Sequence, residues 1–330
     1  MKIAVVGLGS MGKRRIRLLC DYLAREGLQD SQVIGIDTNK ERREAVSDEF
    51  GIEVFESLQS VGACCDAVIV STSPVSHANI ITEALQLGSN VFTEINLVSD
   101  GYERNIELAK VANKVLFLSS TFLYREEVSY IINEVSGQTS GLYNYHVGQY
   151  LPDWHPWEDY RDFFASNART DACRELFAIE LPWLREAFGE IVDVHALSRK
   201  VSDLDVPFDD SYLVLIEHES GIVGSLQVDV VSRKAVRNFE FCNEELYLSW
   251  DGSPSGLKKL DLETKQLESI DSYASEAQQR SDYASFVVEN AYYNELAAFF
   301  DAITQGIEPR YGFEEDLSVL KVIDRIEKAK

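Results

Sequence analysis

Lys2-Ile3-Ala4-Val5-Val6-Gly7-Leu8-Gly9-Ser10-Met11-Gly12 opens the chain and decides how its first third is read. Residues 3–6 are a continuous apolar run, as a strand buried on both faces requires. Gly-x-Gly-x-x-Gly follows at once, and residues 13–23 continue at helical spacing. Gly7 permits the tight turn, Gly9 lets a pyrophosphate approach the backbone, and Gly12 lets helix and strand pack closely. The helix start at Ser10 and Met11 then offers free N–H groups and a partial positive charge to phosphates. Asp37 ends a second apolar run, residues 33–36. A carboxylate there accepts hydrogen bonds from the ribose hydroxyls of an adenosine and repels a 2′-phosphate, so NAD is expected and NADP disfavoured. Lys40, Arg42 and Arg43 lie close enough to offset this in part, but read more readily as a solvated helix face.

Further short apolar runs follow at residues 67–70, 90–93 and 115–118, with helical patterns such as residues 78–85 between them. Strand–helix alternation of this kind builds a parallel sheet covered on both faces. The second half changes character. Residues 211–219 and 222–232 read as a hairpin turning at Ser220-Gly221, and residues 235–242 and 246–250 as another. Leu226, Val228 and Val230 alternate with Gln227 and Asp229, which suits an antiparallel sheet with one packed and one open face. Helix returns from about Ser281 to Lys330, interrupted near Gly306 and Pro309. The expected fold is α/β: a Rossmann dinucleotide-binding domain over residues 1–122, then an α+β domain over residues 123–330 with a large, mostly antiparallel open sheet.

Composition narrows the function. At 330 residues the chain is long enough for about two domains. A formal net charge of −24 repels phosphate backbones and anionic lipid, so neither nucleic acid nor membrane is an expected partner. The longest apolar runs, residues 212–216 and 296–300, fall far short of the about 18 residues a membrane span needs. No apolar leader precedes Lys2, and the cysteines are odd in number (Cys20, Cys64, Cys65, Cys173, Cys242) without CxxC spacing. A reduced, cytoplasmic protein without a thiolate metal site is expected. The sequence holds no H-E-x-x-H, G-x-S-x-G or cysteine–histidine signature, which disfavours hydrolases and metalloenzymes.

Four segments together resemble the glucose–fructose oxidoreductase / inositol dehydrogenase (Gfo/Idh/MocA) family. They are residues 5–12; Val70-Ser71-Thr72-Ser73-Pro74-Val75-Ser76-His77; Gly88-Ser89-Asn90-Val91-Phe92-Thr93-Glu94; and Asn294-Glu295-Leu296 through Phe313-Glu314-Glu315-Asp316. The resemblance spans nearly the whole chain and implies an NAD-dependent oxidoreductase whose open sheet bounds the active site and forms an oligomer interface. It implies that Ser71, Thr72, Ser73, Pro74 and His77 line the nicotinamide half of the cofactor and that Glu94 contacts it. These residues follow the carboxyl ends of parallel strands, where such sheets bind ligands.

The family's Glu-Lys-Pro motif, whose lysine takes part in proton transfer, is Glu94-Ile95-Asn96 here. Its Asp-x-x-x-His motif falls on Glu175 and Ile179, or with a one-residue slip places Glu180 on the histidine. Both usual proton carriers are therefore absent, while oxidising a CH–OH group still needs a base within reach of the hydroxyl. The segment 149–161 packs Tyr150, Asp153, Trp154, His155, Trp157 and Arg161 together, as sugar sites do with rings for the apolar face and charges for hydroxyls. His155 is the first candidate base, with a structural loop as the equal rival. Glu175 and Glu180 are carboxylate candidates, while Asn96 and Tyr124 are placed at the catalytic site by position. Asp153, Trp154, Trp157 and Arg174 are candidates for substrate binding. His146, His195 and His218 receive no role.

The leading expectation is an NAD-dependent oxidoreductase acting on a sugar, amino sugar or nucleotide sugar, assembled as a homodimer or homotetramer. One rival retains NAD through an internal redox cycle, as in epimerases and dehydratases. Another is a non-catalytic NAD-binding regulatory protein.

Overall fold

The computed structural model describes residues 1–62, 65–156, 158–273 and 288–329. Trp157, Cys64 and residues 281–287, the proposed start of the last helical region, lie outside them. The chain divides into two compact units, Met1–Ser120 with Tyr292–Leu317, and Thr121–Ala291 with Ser318–Lys330. Residues 292–317 thus group with the first sheet, although the sequence reading assigned everything after residue 122 to the second domain.

In the first unit, β1 (Lys2–Val6), α1 (Ser10–Arg25), β2 (Gln32–Ile36), α2 (Lys40–Phe50), β3 (Glu53–Phe55), β4 (Ala67–Val70), α3 (Pro74–Gln86), β5 (Asn90–Thr93), α4 (Tyr102–Ala112) and β6 (Leu116–Leu118) alternate along the chain. The strands pair in the order β3-β2-β1-β4-β5-β6, all parallel. The order reverses between β1 and β4, the switch point at which ligands of open α/β sheets bind. Every residue of β4 is buried, and so are the last four of β1. Such strands carry no polar alternation because helices cover both faces. Within this sheet β3 escaped the sequence reading: it is three residues long and only partly buried.

In the second unit, α5 (Glu126–Val135), β7 (Leu142–Gly148), α6 (Ala172–Phe188), β8 (Ile191–Arg199), β9 (Ser211–His218), β10 (Val223–Asp229), β11 (Val236–Cys242), β12 (Tyr247–Trp250), β13 (Lys258–Leu260) and β14 (Leu267–Ser269) follow. Their eight-stranded sheet runs β14-β13-β12-β11-β7-β10-β9-β8. Only β7 and β10 are parallel neighbours; the other pairs are antiparallel. One face is packed: Tyr143 stacks on Phe188, and Tyr145 and Trp183 meet Phe239 edge-on. The opposite face leaves Leu142, Leu197, Leu213, Leu215 and Val223 exposed by 47–60%. Leu197 lies opposite Leu213, and Val223 beside Leu142, so these side chains stand in register.

The C-terminal region forms α7 (Glu289–Gln305) and α8 (Phe313–Lys328), separated at Gly306, whose φ of +69° is the left-handed conformation common after helices. Cys20, Cys173 and Cys242 are free thiols. Among the described residues no helix is long and apolar enough to cross a membrane, and no group of three or more His, Cys, Asp or Glu could hold a metal ion.

Candidate functional site

The loop from β1 to α1 has the shape a dinucleotide needs. Gly7 has φ +91°, and a Cβ there would come 2.6 Å from the Ser71 carbonyl oxygen. A Cβ on Gly12 would stand 1.8 Å from the Gly7 carbonyl oxygen, so any larger residue pushes helix and turn apart. At Gly9 a Cβ would meet nothing within 4 Å. Gly9 also caps α1 without a side-chain hydrogen bond, leaving the helix start open to an anion. Two glycines are thus fixed by protein packing, and the third faces free space where the backbone is approached.

Asp37 is buried at the end of β2. Its Oδ2 accepts from the Leu8 N–H at 2.8 Å and its Oδ1 from the Asn39 N–H at 2.8 Å. This fixes the carboxylate against the glycine loop and leaves lone pairs for a diol. The neighbouring cations do not neutralise it closely. Arg43 donates to the carbonyls of Asp37 and Thr38, Lys40 pairs with Glu44, and Arg42, largely exposed, stays 3.9 Å from Oδ2. The residues therefore fit a dinucleotide with an unphosphorylated adenosine ribose.

The ends of β4 and β5 carry two buried networks. Glu94 receives Arg15 on both oxygens, at 2.5 and 2.9 Å, and Ser71 Oγ lies 3.4 Å from it. Arg15 also donates to Glu295 at 2.8 Å, and its guanidinium lies 4.5 Å from the Phe92 ring centroid. Burial opposes the Arg15 charge, but Glu94 and Glu295 outweigh it and hold its pKa above the ordinary arginine value. Burial raises Glu295, with Arg15 pulling the other way. Glu94, expected to contact the cofactor, is held by the chain's own arginine.

In the second network His77 Nδ1 lies 2.6 Å from Asn96 Oδ1, and Nε2 lies 2.9 Å from the Thr72 carbonyl oxygen. Burial lowers the His77 pKa against the opposing bond to Asn96. Asn96, placed by sequence at the catalytic site, is 2% exposed and bonds inward to His77, so its geometry is that of a holding residue. His77 in turn pins Thr72, which abuts Gly7. Ser73 caps α3 without a side-chain hydrogen bond, and Pro74 takes the first helical turn, where its missing N–H costs nothing.

The second unit gathers its candidate groups at one end of its sheet. β7 and β10 both end there, and the segment after β7 is tied down by Gln149 N–H to the Asp229 carbonyl and Leu151 N–H to the Val230 carbonyl. Trp154 donates to the Gln149 carbonyl, Asp153 is exposed, and the His155 ring rests 4.3 Å from that of Phe163 with Nδ1 3.1 Å from Glu158. Burial lowers the His155 pKa, Glu158 opposing, so the ring is neutral at neutral pH. Tyr124 ends a short turn ahead of α5 and is half-buried.

At the same end α6 begins. Its cap, Asp171, accepts the Arg174 N–H at 2.8 Å; burial raises its carboxyl to about 7 against that bond. Glu175 lies one turn on, with Oε2 buried and without a hydrogen-bond partner. Burial, and then the Asp171 charge, raise it to about 8. Two other candidates are engaged elsewhere. Glu180 is fully buried: Oε1 accepts Arg237 twice, at 2.9 and 2.6 Å, and Oε2 accepts Tyr145 and Trp183. Four bonds saturate it, which makes it a core ion pair. Arg174 donates to Asp324 and Glu327 of α8 at 2.9 and 2.7 Å, which makes it a helix tie. Sequence reasoning missed Arg15, Asp171 and Arg237. A charge on an otherwise apolar helix or strand face was the available signal for Arg15 and Arg237.

A nucleotide-dependent oxidoreductase is the class this fold and loop define. The model of the oxidoreductase family Gfo/Idh/MocA, NAD-binding Rossmann fold, matches residues 1–119. No curated protein sequence matches the chain. Solved structures do. UDP-N-acetylglucosamine 3-dehydrogenase GnnA from Acidithiobacillus ferrooxidans aligns over 100% of this chain and 97% of its own, with TM-score 0.75 and 18% identity. GenD2 from gentamicin A biosynthesis, in complex with NAD, aligns over 100% and 93% with TM-score 0.76 and 18% identity. Biliverdin reductase from Synechocystis, in complex with biliverdin and NADP+, aligns over 99% and 98% with TM-score 0.72 and 17% identity. At such identities the likeness establishes the fold and leaves the substrate to the site.

Proposed function

We propose that this protein is an NAD-dependent oxidoreductase that oxidises a CH–OH group of a sugar, amino sugar or nucleotide sugar. NAD, when bound, supplies the hydride acceptor. Gly7, Gly9, Ser10, Met11 and Gly12 would hold its pyrophosphate and Asp37 its adenosine ribose, with Ser71 to Pro74 and His77 shaping the nicotinamide side. The observation that carries the reading is Glu175: a carboxyl with a free, buried Oε2 and a pKa near 8, at the sheet end that also carries the aromatic segment. Such a group, as it deprotonates toward pH about 8, accepts a hydroxyl proton, the task the missing lysine leaves open. Glu180 and Arg174 have no part in it, while Asp153 and Trp154 would face the sugar. A sugar or sugar-nucleotide substrate also fits two of the structural relatives, a UDP-N-acetylglucosamine dehydrogenase and an enzyme of gentamicin A biosynthesis. The aliphatic row on the open sheet face, Leu142, Leu197, Leu213, Leu215 and Val223, supports a homodimer or homotetramer formed through it. A cytoplasmic setting suits the free thiols of Cys20, Cys173 and Cys242.

The experiment is NAD binding by calorimetry, followed by NADH absorbance with a panel of amino sugars and nucleotide sugars. Binding with net NADH formation is expected. Binding without reduction on any of them would favour the internal redox cycle or the regulatory protein, and absence of NAD binding would overturn the reading.

A further inference from the structure

The turn after β10 presents Arg233 and Lys234, two adjacent exposed cations in a chain of net charge −24. Among the described residues neither pairs with a carboxylate, whereas Arg15, Arg125, Arg174 and Arg237 do. The Arg233 guanidinium instead lies 4.1 Å over the ring of Tyr150, in the aromatic segment. Stacking holds the planar group in place and leaves its N–H edge free to donate.

The turn is built rather than loose. Asp229 Oδ1 accepts the N–H groups of Val231 at 3.1 Å and Ser232 at 2.8 Å, and Oδ2 accepts His146 Nε2 at 2.8 Å. Burial pushes the Asp229 pKa up, but the bonds from His146 and Ser232 win and hold it down at about 2, so the carboxylate remains ionised and the turn anchored. The carbonyls of Asp229 and Val230 fasten Gln149 and Leu151 on either side of Tyr150. The cations and the aromatic segment are therefore one fixed edge.

We infer that Arg233 and Lys234 form a phosphate subsite, so that the substrate is a phosphorylated or nucleotide-activated sugar rather than a neutral one. This rests on the function proposed above and narrows its substrate class. A guanidinium fork suits two phosphate oxygens, and the neighbouring ammonium adds a point charge. In so acidic a protein, an unneutralised pair of cations beside sugar-binding aromatics is the feature that admits a dianion.

The test is calorimetric titration of the full chain with UDP, with N-acetylglucosamine 1-phosphate and with D-glucuronate, each beside an NAD titration. The phosphorylated probes are expected to bind, and Arg233→Ala/Lys234→Ala together to weaken them about tenfold or more, with NAD affinity unchanged. Arg233→Lys, which keeps the charge and loses the stacked fork, is expected to fall between. Unchanged affinity for the phosphorylated probes in the double variant, tighter binding of glucuronate than of either phosphate, or no binding of either phosphate while NAD binds normally would each overturn the subsite. The last two outcomes leave the oxidoreductase reading standing, whereas failure to bind NAD would strike that reading itself.

Discussion

Arg15 Nε stands 2.5 Å from Glu94 Oε1, a bond that joins the second turn of the phosphate-loop helix to the end of β5. Glu295 from α7 takes the same guanidinium on its other side. Two carboxylates thus depend on one buried cation, and Ser119 and the Ser120 N–H add support to Glu295. The arrangement fixes α1, and with it the glycine loop, against the end of β5.

Removing the cation should therefore be costly. Arg15→Met leaves two buried glutamates without their partner, and a loss of roughly 3–5 kcal/mol is expected. Urea denaturation of the variant measures it. Replacing Glu94 and Glu295 by Gln in the same background should recover part of the loss, because the uncompensated charges are then gone. A midpoint equal to wild type in Arg15→Met would show that the network does not support the fold.

Asp37 should set cofactor choice. Asp37→Ala removes the acceptor for the ribose diol and releases the Leu8 and Asn39 N–H groups. NAD affinity is expected to fall about tenfold or more, and NADP affinity to rise relative to it as the repulsion of a 2′-phosphate disappears. Titration with both nucleotides tests this. A variant that keeps the wild-type NAD-to-NADP ratio would remove Asp37 from the cofactor site.

The open sheet face gives a prediction independent of chemistry. Leu215 is 60% exposed, in a register that places it beside Ser225 and His195. Leu215→Glu puts a charge into the proposed interface and should shift the assembly toward monomer in light scattering, with helix and strand content retained by circular dichroism. A wild-type chain that is already monomeric at micromolar concentration would remove the interface.

Much of this was legible in the sequence because it follows from periodicity and glycine placement. Gly7, Gly9 and Gly12 lie between an apolar run and a helical one, and only one common fold places them so. The hairpins of the second sheet showed in the alternation of residues 222–230. The fate of individual charged residues was not legible. Glu175 and Glu180 sit five residues apart on one helix, in equally apolar surroundings by sequence. Arg237 and Tyr145 saturate Glu180 while Glu175 keeps a free oxygen, and both partners come from strands distant in the chain. Arg174 likewise looked available until α8 supplied Asp324 and Glu327. Long-range partners decide whether a charge works or merely holds, and spacing does not report them.

Glu175 carries the sharpest prediction. Its carboxyl is raised from an ordinary 4.5 to about 8, burial being the larger cause and the Asp171 charge the smaller. Between those pH values the folded protein keeps a proton that the unfolded chain releases, so stability falls as pH rises through the window. Asp171, raised to about 7, adds to the same slope. Glu175→Gln cannot ionise and should lose less stability than wild type between pH 5 and pH 8 (about the span of the shift). Activity runs the other way. A base works only when deprotonated, so the wild-type rate should climb with pH toward about 8. Glu175→Gln should lower kcat by roughly 10²–10⁴ and flatten that climb, whereas His155→Gln should cost less because its ring packs against Phe163 within its own loop. Asp171→Asn removes the neighbouring charge and should move the profile to lower pH while leaving its height largely intact. A profile that stays put in Asp171→Asn, or a Glu175→Gln enzyme with wild-type kcat, would assign proton transfer to another group.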